Sequence, residues 1–261
     1  MIQVKNLNAS FGKKEIFKCA SFEICKGDFV CLCGKNGSGK STLLSLLDAI
    51  YSPSLKVSGE IYVNGKSIFE LSRKEIACKI SYLCQKENPC YDLTVNEFLQ
   101  NAFYAKELNF LQDKKNSQTQ HAKLIQEALL KVNMSEFLER KIFSLSGGEF
   151  QKVRIARTLL MQTEIIILDE PLENLDISFE NEFLTFLKNL SINENKTIIF
   201  SIHNINIASL FVEKFMMISD KKIISGKKSE LFTSKVLSQV YQKKCEVYFN
   251  KELNSHQVKF E

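Results

Sequence analysis

The sequence has no CxxC pair, no long apolar run, no internal repeat and no strong excess of one charge. Each absence removes a class of function. No apolar stretch approaches the roughly 18 residues that a bilayer-spanning helix needs. The opening MIQVKNLNAS lacks the apolar core of a secretory signal. Both absences predict a cytosolic chain whose dealings with a membrane pass through a separate partner. The eight cysteines (Cys19, Cys25, Cys31, Cys33, Cys78, Cys84, Cys90 and Cys245) lack metal-site spacing. Cys31 and Cys33 alternate along an apolar stretch, so both are expected on one strand face as small buried hydrophobes kept reduced in the cytosol. His121, His203 and His256 are too dispersed to suggest a metal cluster. The net charge of +5 falls short of the basic stripe of a dedicated nucleic-acid binder, so no nucleic-acid partner is expected.

What is present is an ordinary globular balance: 261 residues, 44% hydrophobic and 25% charged, enough for one large domain or a core with an inserted lobe. Four short apolar runs read as buried strands, and each stops at a residue able to do chemistry. VCLC (30–33) runs into Gly34, ISYLC (80–84) into Gln85, IIIL (165–168) into Asp169 and TIIFSI (197–202) into His203. Ligands of open α/β sheets bind beyond the carboxyl ends of the strands, so these four ends predict one shared site. Helices expected at 41–50 and 178–189 alternate with the strands and argue for a largely parallel sheet. VKNLNASF (4–11) and EIYVNGKSI (60–68) read as additional strands, and the tail after Gly226 as helical and then extended. Between 86 and 145 three helices are expected, at 94–108, 118–132 and 135–141, the first opened by the capping box Thr94-Val-Asn-Glu97. The polar QDKKNSQTQ (112–120) between the first two reads as a loop. The predicted organisation is a single domain over 1–261: an α/β core at 1–85 and 146–228, a helical lobe at 86–145 and a tail at 229–261.

GKNGSGKST (34–42) is the strongest chemical signal. It is a P-loop pattern, Gly, four residues, then Gly-Lys-Ser, with a strand before it and a helix after. Gly34, Gly37 and Gly39, with Asn36 and Ser38, let successive N–H groups turn inward around phosphate oxygens. Lys40 can reach the β- and γ-phosphates, the Ser41 hydroxyl can ligate Mg²⁺, and Thr42 completes the motif. In IIILDE (165–170), Asp169 fits a Mg²⁺-binding acid at a strand end, and Glu170 fits the group that orients or deprotonates an attacking water. LSGGE (145–149) opens a helix continued by Phe150, Val153, Ala156 and Leu160. A capping box accounts for Ser146 and Glu149. It does not account for Gly147 and Gly148, each unfavourable in a helix by about 1 kcal/mol relative to alanine.

The order P-loop, Gln85, LSGGE, ILDEP and a late His203 resembles that of ATP-binding cassette (ABC) ATPases over nearly the whole chain. The resemblance implies a P-loop core of mainly parallel sheet, an N-terminal antiparallel β part and an inserted helical lobe. It implies ATP hydrolysis with Mg²⁺, with Gln85 linking nucleotide and metal to the transport partner, Asp169 holding Mg²⁺, Glu170 as catalytic base and His203 on the γ-phosphate. Phe11 stands where an aromatic stacks on adenine, and LENLD (172–176) where a loop crosses between subunits. Ser146, Gly147 and Gly148 take the place of the segment that meets the γ-phosphate held by a second copy, so two chains close head-to-tail over two nucleotides.

LSRKEIACKISYLCQ (71–85) and the tail GKKSELFTSKVLSQVYQKKCEVYF resemble ATPases that energise uptake of iron chelates, haem and cobalamin. That implies a peripheral subunit on the cytoplasmic face, under a membrane permease and served by an external substrate-binding protein. Zinc or manganese import, and a soluble ABC ATPase of repair, translation or cofactor assembly, are the alternative readings. Four positions depart from the usual pattern: Lys35 and Cys84 stand where proline is frequent, Leu172 replaces Ser or Thr, and Asn204 replaces Asp.

Overall fold

The computed structural model describes residues 1–107 and 114–261. In chain order the elements are β1 (Ile2–Phe11), β2 (Lys14–Ile24), β3 (Phe29–Gly34), α1 (Lys40–Leu47), β4 (Leu55–Val63), β5 (Lys66–Ser67), α2 (Arg73–Ala77), β6 (Ile80–Leu83), α3 (Val95–Gln100), α4 (Tyr104–Glu107) and α5 (Lys114–Lys131). They continue with α6 (Gly147–Leu160), β7 (Ile165–Leu168), α7 (Ile177–Asn193), β8 (Thr197–Ser201), α8 (Ile205–Phe211), β9 (Lys214–Ser219), β10 (Lys222–Lys227), α9 (Lys228–Leu231), α10 (Ser234–Tyr241), β11 (Cys245–Asn250) and β12 (Ser255–Phe260).

Short runs of β-branched and apolar residues, with few polar ones among them, give strands buried on both faces. They assemble in the order β10-β9-β3-β8-β7-β6. Every pairing from β9 to β6 is parallel, and only β10 is antiparallel. A second, antiparallel sheet has the order β2-β1-β4-β5, and β11 and β12 form a hairpin. The twofold alternation of strand side chains divides the core in two. Val30 and Leu32 of β3 face α1 and the antiparallel sheet, whereas Cys31 and Cys33 face the helices of the other layer. As expected, both thiols lie on one face, with their Sγ atoms 3.5 Å apart. All eight cysteines are free.

The predicted α/β architecture is therefore the observed one, with differences concentrated between 86 and 145. Thr94 and Glu97 form the predicted capping box at α3. The helix expected over 94–108 is instead α3, a 3₁₀ turn at Asn101–Phe103 and α4. Its predicted end, Leu108, lies outside the described residues, as do 112–113 of the predicted loop. The rest of that loop is helical, because α5 begins at Lys114. Lys and Gln are good helix formers, so a helix nucleated by the buried Ile125, Ala128 and Leu129 extends backwards through them. The helix expected at 135–141 is a single 3₁₀ turn at Ser135–Phe137. The carbonyls of Leu138 and Arg140 accept instead from the amides of Asn96 and Val95, at 3.0 and 2.8 Å, which ties the segment to the start of α3. Among the described residues no helix is long and apolar enough to cross a membrane.

Candidate functional site

Parallel pairing of β3, β8, β7 and β6 brings their carboxyl ends to one edge of the sheet. Gly34, Gln85, Asp169 and His203 follow those ends, as the strand-end rule predicts. The loop after β3 turns at Gly39, the N-cap of α1, with φ of +107°. A Cβ there would lie 2.6 Å from Ile16 Cγ2, so β2 and the loop approach each other only because the residue is glycine. Lys40, 5% exposed, folds back and donates from Nζ to the Gly34 carbonyl at 3.1 Å. Asn36, Gly37 and Ser38 line an open cavity of about 320 Å³, together with Ile16, Val240 and Gln242. The buried Ser38 Oγ has no hydrogen-bond partner. Phe11, 38% exposed, ends β1 opposite Lys14 of β2 and does not line that cavity.

Asp169 is fully buried at the end of β7. Its Oδ1 accepts from Ser201 Oγ at 2.6 Å, while its buried Oδ2 has no partner. Burial raises its pKa above the ordinary carboxylate value, and the Ser201 hydrogen bond together with the nearby Ser41 hydroxyl offsets only part of that shift. A carboxylate oxygen buried without a partner, with a serine hydroxyl beside it, fits a hard divalent cation. Ser41, at the start of α1, and Gln85 are the nearest predicted co-ligands. Thr42 follows on α1, where its carbonyl accepts from Ser45 Oγ at 3.1 Å.

Glu170 is 6% exposed and has a left-handed backbone, φ +51°, which is uncommon for a residue with a side chain. Ser201 holds it there by accepting from its amide at 2.9 Å. Gln85 Nε2 donates to Glu170 Oε2 at 2.6 Å, and His203 Nε2 lies 2.7 Å from the same oxygen. Gln85 and His203, predicted from separate strand ends, thus meet at the Glu170 carboxylate.

Ser146, Gly147 and Gly148 stand at the start of α6. The capping box is complete: Ser146 N–H donates to Glu149 Oε2 at 2.7 Å and Glu149 N–H to Ser146 Oγ at 3.3 Å. The two glycines are not equivalent. A Cβ on Gly148 would lie 2.6 Å from the Asn174 carbonyl oxygen, so this glycine is required within the chain. A Cβ on Gly147 would meet nothing within 4 Å, so nothing among the described residues explains that glycine.

The departures from the usual pattern also find local roles. Asn204 caps α8, accepting from the amides of Asn206 and Ile207 at 3.1 and 3.4 Å, a task Asn and Asp share. Leu172 packs into the core, 7% exposed. Lys35 donates to Gln242 Oε1 in the tail at 2.8 Å. The Cys84 carbonyl accepts from Arg154 NH2. Sequence reasoning missed Ser201 and Arg154. Ser201 was within reach, since it ends the strand run that pointed to His203. Arg154 reads locally as one more cation on an amphipathic helix, and nothing in its neighbourhood of sequence signals burial.

Comparison with known proteins identifies the family and the fold. The ABC transporter family profile matches residues 17–173. The iron(3+)-hydroxamate import ATP-binding protein FhuC of Bacillus subtilis is 32% identical over 97% of this chain and 92% of its own length. The phosphonates import ATP-binding protein PhnC of Fusobacterium nucleatum is 34% identical over 93% of this chain and 98% of its own. Among solved structures, an inward-facing putative metal-chelate-type ABC transporter superposes with a TM-score of 0.79 at 25% identity, covering 100% of this chain and 96% of that one. A dimeric ATP-binding cassette in a post-hydrolysis state, bound to ADP and Pi, gives 0.75 at 28% identity, covering 87% and 98%.

Proposed function

Because the chain belongs to the ABC transporter family of ATP-binding proteins, we infer that it is the ATP-hydrolysing subunit of an importer whose cargo is an iron chelate. The observation that carries the hydrolytic part is the convergence of Gln85, Glu170 and His203 beside a buried aspartate with one unpartnered oxygen. The iron-chelate part is supported by the segment at 71–85, by the tail, and by likeness to an iron(3+)-hydroxamate import protein and a metal-chelate-type transporter.

In this reading Gly34, Asn36, Gly37, Ser38 and Gly39 wrap the β- and γ-phosphates, Lys40 and Thr42 complete the cradle, and Phe11 supports adenine. Ser41, Asp169 and Gln85 would hold Mg²⁺, which when bound withdraws charge from the phosphates. Glu170 orients the attacking water and takes its proton, and His203 contacts the γ-phosphate. Lys40 and backbone N–H groups stabilise the developing charge without having to reorganise. Ser146 and Gly147 meet the γ-phosphate of a second copy, so two chains close head-to-tail. The closed pair drives a membrane permease from its cytoplasmic face, and an external binding protein delivers the chelate.

The decisive variant is Glu170→Gln, which keeps size and hydrogen bonding but removes the base. It is expected to bind ATP with normal affinity, run as a dimer in ATP on a sizing column, and lose at least about a hundredfold in kcat. Undiminished hydrolysis would remove Glu170 from its role. For cargo, the chain is reconstituted in vesicles with the membrane protein that co-purifies with it. ATP-driven uptake of a ferric hydroxamate is expected; uptake of a phosphonate instead would replace the cargo assignment.

A further inference from the structure

Arg154 is the one arginine on α6 that is almost fully buried, 4% exposed, and it points at the loop that carries Gln85. Its NH2 donates to the Cys84 carbonyl, and its NH1 reaches the Gln85 carbonyl at 3.5 Å. NH1 also donates to Gln151 Oε1 at 2.6 Å, and Nε to Glu87 Oε2 at 3.2 Å. Gln151 is itself buried and donates from Nε2 to the Pro171 carbonyl at 3.0 Å, one residue beyond Glu170. Gln85 closes the circuit by donating to Glu170 Oε2. The result is a hydrogen-bonded ring that runs Glu170, Pro171, Gln151, Arg154, the Gln85 loop and back to Glu170. Arg157 grips the outside of the same loop with two parallel bonds to Glu87, each 2.7 Å.

A buried guanidinium has to place its donors on acceptors or lose several kcal/mol of solvation. Here the acceptors on one side belong to the Gln85 loop and on the other to Gln151, which holds the segment after Glu170. A planar fork with five donors can satisfy both sides at once, which a lysine ammonium cannot.

We propose that Arg154 is a positioning residue for hydrolysis: it holds the Gln85 loop so that the Gln85 amide engages Glu170, and through Gln151 it couples that engagement to α6. This rests on the proposed function. The start of α6 carries Ser146 and Gly147, which face the second copy's nucleotide, whereas Glu170 serves the chain's own. The ring therefore links closure on one nucleotide to the carboxylate acting at the other.

The test uses the full chain and the variants Arg154→Met and Arg154→Lys. Arg154→Met is expected to lower kcat by about tenfold to a hundredfold, the scale of a small misplacement of reacting groups, with KM for ATP within about twofold. Arg154→Lys keeps the charge and reaches one carbonyl, so its loss falls between, and it carries the test if Arg154→Met does not fold. In a Gln85→Ala background Arg154→Met is expected to cost less than about twofold more, since residues acting through one link are not additive. Equal losses in both backgrounds, an unchanged kcat, or a loss confined to KM would overturn the proposal. A second readout needs no turnover. The side-chain amide resonances of Gln85, identified by their loss in Gln85→Ala, should be displaced from random-coil positions in the wild type and return to them in Arg154→Met. Amide signals already at random-coil positions in the wild type, or unmoved in the variant, refute the ring. A wild-type chain that hydrolyses no ATP would overturn the proposed function, and the resonances would still decide the ring.

Discussion

Alanine at Gly147 and at Gly148 should have opposite consequences, although the two glycines are adjacent in one helix turn. At Gly148 the added Cβ would lie 2.6 Å from the Asn174 oxygen, where ordinary contact begins at 3.4 Å, so the loop must recede by about 0.8 Å. That loop has little room to move. Leu172 is buried beneath it, the Leu175 amide donates to the Leu172 carbonyl at 3.2 Å, and the Glu173 amide donates to the Glu170 carbonyl at 3.2 Å. Overpacking of this kind costs about 1–3 kcal/mol. Exchanging glycine for alanine inside a helix returns up to about 1 kcal/mol. With that gain fully returned, the net expectation for Gly148→Ala is a loss of about 0–2 kcal/mol in urea unfolding. At Gly147 the Cβ meets nothing and the backbone needs no left-handed φ, so Gly147→Ala should be neutral or stabilise the isolated chain by about 0.4–1 kcal/mol. Its harm appears only when a second copy's γ-phosphate approaches the bare backbone. Turnover should fall about tenfold or more, and ATP-dependent dimerisation of the Glu170→Gln chain should be lost when Gly147→Ala is added. A Gly147→Ala chain with full ATPase activity would remove the case for backbone contact across the dimer. A Gly148→Ala chain as stable as the wild type would show that the Asn174 loop yields freely.

Three more outcomes follow from the same site and its surroundings. Asp48, 6% exposed, has its pKa raised by burial from the ordinary 3.8 to about 7, with Arg73 opposing weakly. The folded chain then holds a proton that the unfolded chain releases, so stability falls as pH rises from about 4 to 7, by at most about 4 kcal/mol. Asp48→Asn should flatten that slope and be the more stable protein in urea at pH 8; parallel slopes would refute the assignment. Ser201→Ala strands Asp169 Oδ1 and the Glu170 amide. It should cost about 1–3 kcal/mol in unfolding and lower kcat as well, and a variant altered in neither would show that Ser201 positions nothing. Phe11→Ala should raise KM for ATP about two- to tenfold with kcat unchanged, the mark of lost uniform binding, and an unmoved KM would remove Phe11 from the adenine site.

The divide between what could be read from the sequence and what could not follows the range of the interactions. The parallel sheet was legible because VCLC and IIIL are continuous apolar runs and TIIFSI is mostly apolar, and burial on both strand faces leaves no alternation to misread. Gly34, Gln85, Asp169 and His203 were legible because each terminates such a run, so one topological rule placed them all. The lobe was read poorly for the opposite reason. Polar QDKKNSQTQ has no periodicity of its own, and the helix over its described part, from Lys114, is imposed by the apolar residues that follow. The segment at 135–141 has helical spacing, but two backbone bonds to α3, absent from any local window, override it.

Within the site the same distinction separates residues that name their chemistry from residues that only complete it. A glycine loop ending in Lys40 and Ser41 declares a phosphate site in nine letters, and DE after a strand declares an acid pair. Ser201 and Arg154 declare nothing, because a serine ending a strand or an arginine on a helix is unremarkable until its partners arrive from 32 and 70 residues away. Only the fold identifies the buried atoms it leaves without partners among the described residues, the Ser38 hydroxyl, Asp169 Oδ2 and the Tyr241 hydroxyl, and the first two lie where phosphate and cation are expected. A buried polar atom without a partner costs about 1–3 kcal/mol, and a fold retains that cost most readily where a ligand removes it. Saturating Mg²⁺ and a non-hydrolysable ATP analogue should therefore stabilise the chain against urea by more than either does alone. In Asp169→Asn, whose pKa argument no longer applies, the Mg²⁺ increment should vanish while the nucleotide's own increment persists. An increment from Mg²⁺ that survives in Asp169→Asn would mean that the unpartnered oxygen is not where the cation binds.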